Sequence, residues 1–254
     1  MPRLSRIKSS TGLYHVLTRG INRQDIFMDV EDKTAYLERL EKYKSECLFQ
    51  IYSYCLMSNH VHLLIREGEQ QQPQTQQLPE IMKKINTSYA YWFNRKYNRV
   101  GHLFQDRYKS EPVENDRYLL TLVRYIHQNP VKIGYSISYW TSYEDFFSSS
   151  SLTDVAFVLE LFSDDPTQAR EQFKRYVNEK NDDMCMDISE VGRINDDKAG
   201  EIIRRAGNIS NCQQLQDLGK TARNTLLREL KDNGLSIRQI ERLTGINRGI
   251  VLNA

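Results

Sequence analysis

No apolar run in this sequence approaches the roughly 20 residues that a membrane-spanning helix requires. The opening MPRLSRIKSSTGLYHV is basic but lacks the apolar stretch of a secretory leader, so a cytoplasmic location with no membrane partner is expected. Cysteine is scarce. Cys47, Cys55, Cys185 and Cys212 stand far apart with no CxxC or CxH spacing, which argues against a zinc ribbon and against a disulfide framework. Charge of one sign is missing too: 35 basic and 33 acidic residues leave a net +2. A mean hydropathy of -0.63 describes a polar chain that still carries enough apolar residues to fold. The length of 254 residues suits one sizeable core plus a smaller module, or two modest domains.

The charge that is present is unevenly placed. Between Ile81 and Lys109 stand seven basic residues (Lys83, Lys84, Arg95, Lys96, Arg99, Arg107, Lys109) against one acid, Asp106. They are interleaved with Tyr89, Tyr91, Trp92, Phe93, Tyr97, Phe104 and Tyr108, a mixture that suits phosphates and stackable bases. It suits equally a solvated helix face over an aromatic core. From Ser151 to Gly200 the balance reverses, with twelve acids against six bases.

Periodicity organises the chain. Leu13–Thr18 reads as a strand, and Val30–Cys47 as a charged amphipathic helix with Tyr36, Leu37, Leu40 and Tyr43 on one face. Leu48–Met57 and Val61–Arg66 are β-rich runs joined by the Ser58-Asn59 turn, a hairpin. Gly68–Pro79 is a glutamine-rich loop of low complexity. Pro79 and Glu80 open a helix reaching to about Asn98, Gly101–Val113 reads as extended, and Asn115–Asn129 as a helix ended by Pro130. The order β-α-ββ-α-β-α predicts an α+β, ferredoxin-like sandwich of an antiparallel sheet with helices, which Trp140–Phe146 closes. The serine-rich FFSSSSLTD places a domain limit near residue 147. An acidic helical connector over 148–210 and a small all-α region over 211–254 follow.

Two constellations carry chemistry. In His60-Val61-His62, alternate side chains of a strand point the same way, so both imidazoles project from one face while Val61, Leu63 and Ile65 face the other. Such a pair can hold a divalent metal, and can as well be an ordinary strand pair. On the helix around Tyr125, residues Leu119, Leu122, Val123 and Ile126 make the buried stripe, and Tyr125 and Asn129 lie one turn apart. A phenol is a poor nucleophile at neutral pH unless a polarised phosphate is held in line with it.

LMSNHVHLLI (Leu56–Ile65), followed by RYIHQNPVKIG (Arg124–Gly134), resembles the HUH-type single-tyrosine transposases, and more narrowly the REP-associated tyrosine transposases and their insertion-sequence relatives. The resemblance extends through YHVLTRGINRQDIF (Tyr14–Phe27), GHLFQDRYKS (Gly101–Ser110) and WTSYEDF (Trp140–Phe146), and so covers residues 10–147. It implies that His60 and His62 bind a divalent cation, Mg2+ or Mn2+, that Asn129 supplies the third ligand, and that Tyr125 is the nucleophile. It further implies DNA contacts from Arg19, Asn22 and Arg23 near the start and from Arg107, Tyr108 and Lys109 later. Arg107 and Lys109 alternate on the expected strand and so share a face. The implied reaction is cleavage and rejoining of single-stranded, hairpin-flanked DNA (REP-like or element ends) through a 5′-phosphotyrosine, in the bacterial cytoplasm and associated with the nucleoid. The family includes dimers that share sites and a REP-associated branch of monomers, so a homodimer and a monomer both stay open.

Near the C-terminus, LSIRQIERLTGINRGIV has an apolar face of Ile237, Ile240 and Leu243, a turn at Gly245 and a second helix starting at Asn247. It resembles the helix-turn-helix modules of bacterial DNA-binding proteins, which implies duplex DNA contact through Asn247 and Arg248. Three alternatives accompany this reading. A regulator that kept the fold and lost catalysis would not need the intact set His60, His62, Tyr125 and Asn129. A replication initiator or relaxase pairs its histidines with further histidines, a second tyrosine or a Tyr-xxx-Lys helix, whereas position 129 is Asn and Lys132 lies beyond Pro130. A metal-dependent RNA nuclease would need no tyrosine.

Overall fold

The computed structural model describes residues 6–68, 75–148, 152–187 and 196–254, with the side chains of 197 and 198 left aside. Half of the glutamine-rich loop (69–74), the middle of the serine run and residues 188–195 of the acidic stretch lie outside the described residues. The chain divides into two compact units, Met1–Asp187 and Ile188–Ala254.

The first unit is built on four strands, β1 (Leu13–Arg19), β2 (Gln50–Leu56), β3 (His60–Arg66) and β4 (Lys109–Pro112), arranged β2-β3-β1-β4. Every neighbouring pair is antiparallel. Helices α1 (Val30–Cys47) and α2 (Leu78–Lys96) cover one face, on a core of Val16, Leu56, Val61, Leu63 and Ile65 from the sheet with Tyr36, Leu40, Ile85, Tyr89 and Phe93 from the helices. A capping box of Asp29 and Asp32 starts α1 at the expected residue. Lys96, at the end of α2, bridges to Asp29, Glu31 and Asp32, so part of the central basic excess is neutralised within the fold. Tyr89 and Phe93 are core residues, while Tyr91 is 70% exposed.

Helix α3 (Asp116–Gln128), capped by Asn115, packs on the other face through Leu119, Leu122, Val123 and Ile126. Helices α4 (Val155–Glu160) and α5 (Pro166–Asn178) join this same core through Val158, Phe173 and Val177. The limit expected near residue 147 therefore falls inside the first unit: the serine run interrupts the chain, but the apolar stripe beyond it has its partners on α3. Phe146 and Phe173 stack with ring centroids 4.0 Å apart, which ties the WTSYEDF segment to α5. Strand β4 is also shorter than the extended run expected over Gly101–Val113, because Gly101–Tyr108 forms a loop along α2 that meets the sheet only through an isolated bridge from Phe104 to Gly20 before β4 begins.

The second unit holds α6 (Asp196–Gly207), α7 (Lys220–Asp232), α8 (Ile237–Thr244) and α9 (Arg248–Asn253) around Ile203, Leu215, Leu227, Leu230, Ile240 and Val251. Since α6 contributes to this core, the limit expected at 210/211 also shifts. Gly245 ends α8 at φ +73°, a left-handed backbone conformation that favours glycine at that turn. Among the described residues no helix is long and apolar enough to cross a membrane.

Candidate nucleophile and metal-binding site

The site lies on the α3 face of the sheet. Pairing of β1 with β3 sets Leu17 opposite His62 and Arg19 opposite His60, so the odd-numbered side chains of β1 share a face with the two histidines. His15 is one of them. It is fully buried, its Nε2 lies 3.0 Å from His62 Nδ1, and the two rings stack at 5.3 Å. His60 and His62 meet edge to face at 5.1 Å.

Tyr125 arrives from α3. Its ring stands edge-on to His62 at 5.8 Å and to His15 at 6.3 Å. The Lys132 ammonium sits 3.8 Å from the Tyr125 ring centroid, brought there by the short Val131–Ile133 turn after Pro130. The Tyr125 hydroxyl donates to Asp187 Oδ2 at 2.6 Å. Asp187 ends a segment anchored by Arg124, which donates to both carboxylate oxygens of Asp183 at 2.7 and 2.9 Å. Asn129 is buried, and its Nδ2 donates to the Tyr125 carbonyl at 2.8 Å, which leaves Oδ1 as the atom able to serve a cation.

Electrostatics follow from burial. Desolvation holds His15 and His60 down to about 4, and His62 well below its ordinary value. All three imidazoles are neutral at neutral pH and keep a lone pair. The Tyr125 phenol is raised, first by burial and then by the hydrogen bond to the Asp187 carboxylate. Burial lowers the Lys132 ammonium, while the charge of Asp187 raises it.

Do these residues fit a metal? Among the described residues no group of three His, Cys, Asp or Glu side chains is set to hold one, so the fitting set is two imidazoles and an amide. The imidazoles suit the task. His60 Nδ1 is bonded to Asn59 Oδ1 at 2.6 Å and His62 Nδ1 to His15, which leaves Nε2 of each as the ligating atom. Nε2 of His62 is buried without a hydrogen-bond partner, an orphan that a cation would satisfy.

The expected DNA contacts separate into groups. Arg19 lies at the end of β1 beside His60, bonded to Gln105 Oε1 at 2.9 Å. Asn22 and Arg23 form the following turn with φ +52° and +62°. Lys109 is exposed and, opposite Leu17, shares the site's face. Arg107 does not alternate with it on a strand, because it precedes β4. Tyr108, turned to the opposite face, is buried in the α1–α2 core under the Arg6 guanidinium, where it packs and offers no ring to a base. A groove of about 790 Å³ between α2 and the Gly101–Tyr108 loop is lined by Lys83, Asn86, Tyr91, Phe104 and Arg107 among others. In the second unit Asn247 caps α9, the Arg248 backbone bonds Glu241, and both side chains are exposed.

Residues 8–129 match the family model of the IS200-like transposases. This segment, just under half of the chain, is similar to the IS200-like transposases. It contains His15, His60, His62, Tyr125 and Asn129, and stops short of Lys132 and Asp187. The chain is 28% identical over 116 residues to a Haemophilus influenzae protein named as a REP-associated tyrosine transposase, a match spanning 41% of this chain and 60% of that one. A solved REP-associated tyrosine transposase bound to a REP hairpin is 17% identical, with a TM-score of 0.47, over 61% of this chain and 96% of its own. A Deinococcus radiodurans R1 crystal structure described as a transposase is 15% identical, with a TM-score of 0.34, over 53% and 99% respectively.

The motifs of this segment thus converge, and three further residues, His15, Lys132 and Asp187, complete the site. His15 stood in the strand LYHVLT as a lone polar residue between apolar ones, which was its only signal. Lys132 was set aside as lying beyond Pro130, and Asp187 was one acid among many.

Proposed function

We propose that this protein cuts and rejoins single-stranded DNA, with Tyr125 as the nucleophile. The observation that carries the reading is the approach of the Tyr125 ring to His62 and His15 on the same sheet face as His60. The transposase domain supplies the reaction class.

In the proposed step, Tyr125 Oη forms a bond to the phosphorus as the P–O3′ bond breaks. The proton lost by the phenol balances the one taken up by the departing 3′ oxygen, and the 5′ phosphate remains on the tyrosine. A 3′-hydroxyl of a second strand reverses the step, so no energy source is consumed. His60 and His62 through Nε2, with Asn129 through Oδ1, would hold Mg2+ or Mn2+; when bound, such an ion polarises a non-bridging phosphate oxygen. Lys132 adds positive charge beside the phenol. Helix α3 fixes the direction from which Oη approaches, which is the positioning an in-line displacement requires.

Hairpin-flanked single-stranded DNA is the proposed substrate, since an unpaired backbone can bend into such a site. Arg19, Arg23 and Lys109 are placed to meet phosphates near it, and the groove with exposed Tyr91, Lys83 and Arg107 suits the flanking strand or hairpin. The β-α-β-β-α-β order with strands β2-β3-β1-β4 supports a ferredoxin-like sandwich. For the second unit, α8, the Gly245 turn and α9 support a helix-turn-helix that reaches duplex DNA through Asn247 and Arg248.

The test is a trapping assay on end-labelled single-stranded hairpin DNA with Mn2+, resolved on a denaturing gel. The expected result is a protease-sensitive shifted band that is lost with Tyr125→Phe and with His60→Ala. Cleavage without an adduct would assign a metal nuclease instead. DNA binding with neither would assign a regulator.

A further inference from the structure

His15 is costly to bury. One of its ring nitrogens, Nδ1, has no hydrogen-bond partner and lies 4.0 Å from Glu111 Oε2, while the charge of Asp187 also acts on the ring. An apolar side chain would fill the same space beside Leu13 and Leu17 without that penalty. What the imidazole provides, and a leucine would not, is Nε2 at 3.0 Å from His62 Nδ1.

The tautomers follow from this contact. Between two neutral imidazoles one nitrogen must donate and the other accept. If His62 is to present a lone pair on Nε2, its proton sits on Nδ1 and is donated to His15 Nε2. His15 then carries its own proton on Nδ1, the atom that faces Glu111 across 4.0 Å. Glu111 is held in turn by the Tyr118 hydroxyl, which donates to the same Oε2 at 2.7 Å. The row Tyr118–Glu111–His15–His62 runs from α3 through β4 and β1 to β3 and ends at the unpartnered His62 Nε2. His60 has its own orienting partner of the same kind, Asn59 Oδ1. Each histidine of the pair is thus gripped at Nδ1 and open at Nε2.

We infer that His15 is a positioning residue for cation binding: it accepts the His62 Nδ1 proton and so fixes His62 with its Nε2 lone pair toward the ion. This rests on the metal reading above. The stacked rings at 5.3 Å keep His62 from rotating, so that tautomer and direction are set together before the ion arrives. Partners of this kind typically change metal affinity by about ten- to a hundredfold when removed.

The experiment is Mn2+ titration of the full chain without DNA, followed by calorimetry and by the loss of the free Mn2+ electron paramagnetic resonance signal. Wild type is compared with His60→Ala, His15→Leu and His15→Gln, and each variant's thermal midpoint is recorded without metal. Glutamine places an amide oxygen near the position of Nε2 and restores the acceptor. The expected result is Mn2+ affinity lowered about ten- to a hundredfold in His15→Leu, and restored to within a few-fold of wild type in His15→Gln.

Wild-type affinity in His15→Leu, with His60→Ala impaired, would overturn the inference and leave His15 as core packing. Equal weakness or absence of binding in wild type and His60→Ala would remove the metal reading, and the inference with it. Because His15→Leu can also disturb the fold, the tautomer is read directly in wild type by long-range ¹H–¹⁵N correlation of the imidazoles. A proton on His62 Nδ1 is expected. A proton on His62 Nε2 in the metal-free protein would overturn the inference whatever the variants do.

Discussion

The Tyr125 hydroxyl donates to Asp187 Oδ2 at 2.6 Å, and Tyr125 as a whole is 3% exposed. A carboxylate therefore stands where a phosphate oxygen would have to come. It also opposes ionisation of the phenol, since burial and this hydrogen bond both raise Tyr125 above its ordinary value. In the proposed reaction, substrate has to displace Asp187 before Tyr125 Oη can reach phosphorus.

Asp187→Ala is accordingly expected to increase the initial rate of adduct formation by about tenfold, the equivalent of one net hydrogen bond to a charged group at about 1.5 kcal/mol. Asp187→Asn, which keeps a hydrogen-bonding partner and removes the charge, should fall between. Single-turnover adduct kinetics at saturating Mn2+ measure both. A loss of rate in either variant would mean that the carboxylate serves as a proton acceptor instead.

Lys132 is exposed, with its ammonium 3.8 Å from the Tyr125 ring centroid. Replacing it by methionine keeps the stem and removes the charge. Adduct formation should slow roughly tenfold to a hundredfold, somewhat less than the loss of a fully desolvated oxyanion donor. The same assay with Lys132→Arg should recover part of the rate. If Lys132→Met reacts as wild type does, the ammonium only packs.

His127 titrates as a stability group. It is fully buried, its Nε2 lies 2.8 Å from Ser142 Oγ, and burial pushes it down to about 3. Between about pH 6.5 and about pH 3 the unfolded chain binds a proton there that the folded chain refuses, so stability rises with pH across that window. The contribution is complete above about 6.5 and is lost on acidification, at up to about 1.4 kcal/mol per pH unit. Urea midpoints of wild type and His127→Gln should therefore converge as the pH falls from 7 to 4. Parallel pH dependences would show that His127 is protonated in the folded state.

Phe173 tests the boundary of the first unit. It is fully buried and stacked 4.0 Å from Phe146. Phe173→Ala should cost about 3–5 kcal/mol by chemical denaturation, as for other large core aromatics. A fragment ending at residue 147 should for the same reason be markedly less stable than one ending at 187. Equal stability of the two fragments would return the limit to the serine run.

Much of the transposase-like segment was legible in the residues. Strand alternation put His60 and His62 on one face, and helical spacing put Tyr125 at the edge of the α3 stripe, because both periods are local. Val30–Cys47 has the bounds that its spacing predicts. What was not legible depends on non-local pairing. His15 becomes a neighbour of His62 only through the β1–β3 register. The short β4 arises because the Gly101–Tyr108 loop follows α2 and touches β1's end only at the Phe104–Gly20 bridge. Tyr108 has the composition of a stacking residue, and only its face of the sheet sends it into the core. Asp187 sits in a polar stretch with no periodicity, so nothing in its neighbours tells where the backbone carries it.

The central claim is that Tyr125 attacks DNA and keeps the 5′ phosphate. The direct measurement is mass spectrometry of the trapped adduct after protease and nuclease digestion. The account predicts a nucleotide on the peptide containing Arg124–Tyr125, linked through a 5′ phosphate, with a free 3′-hydroxyl on the released strand. A modified peptide elsewhere, a 3′ linkage, or cleaved strands with no peptide attached would contradict it.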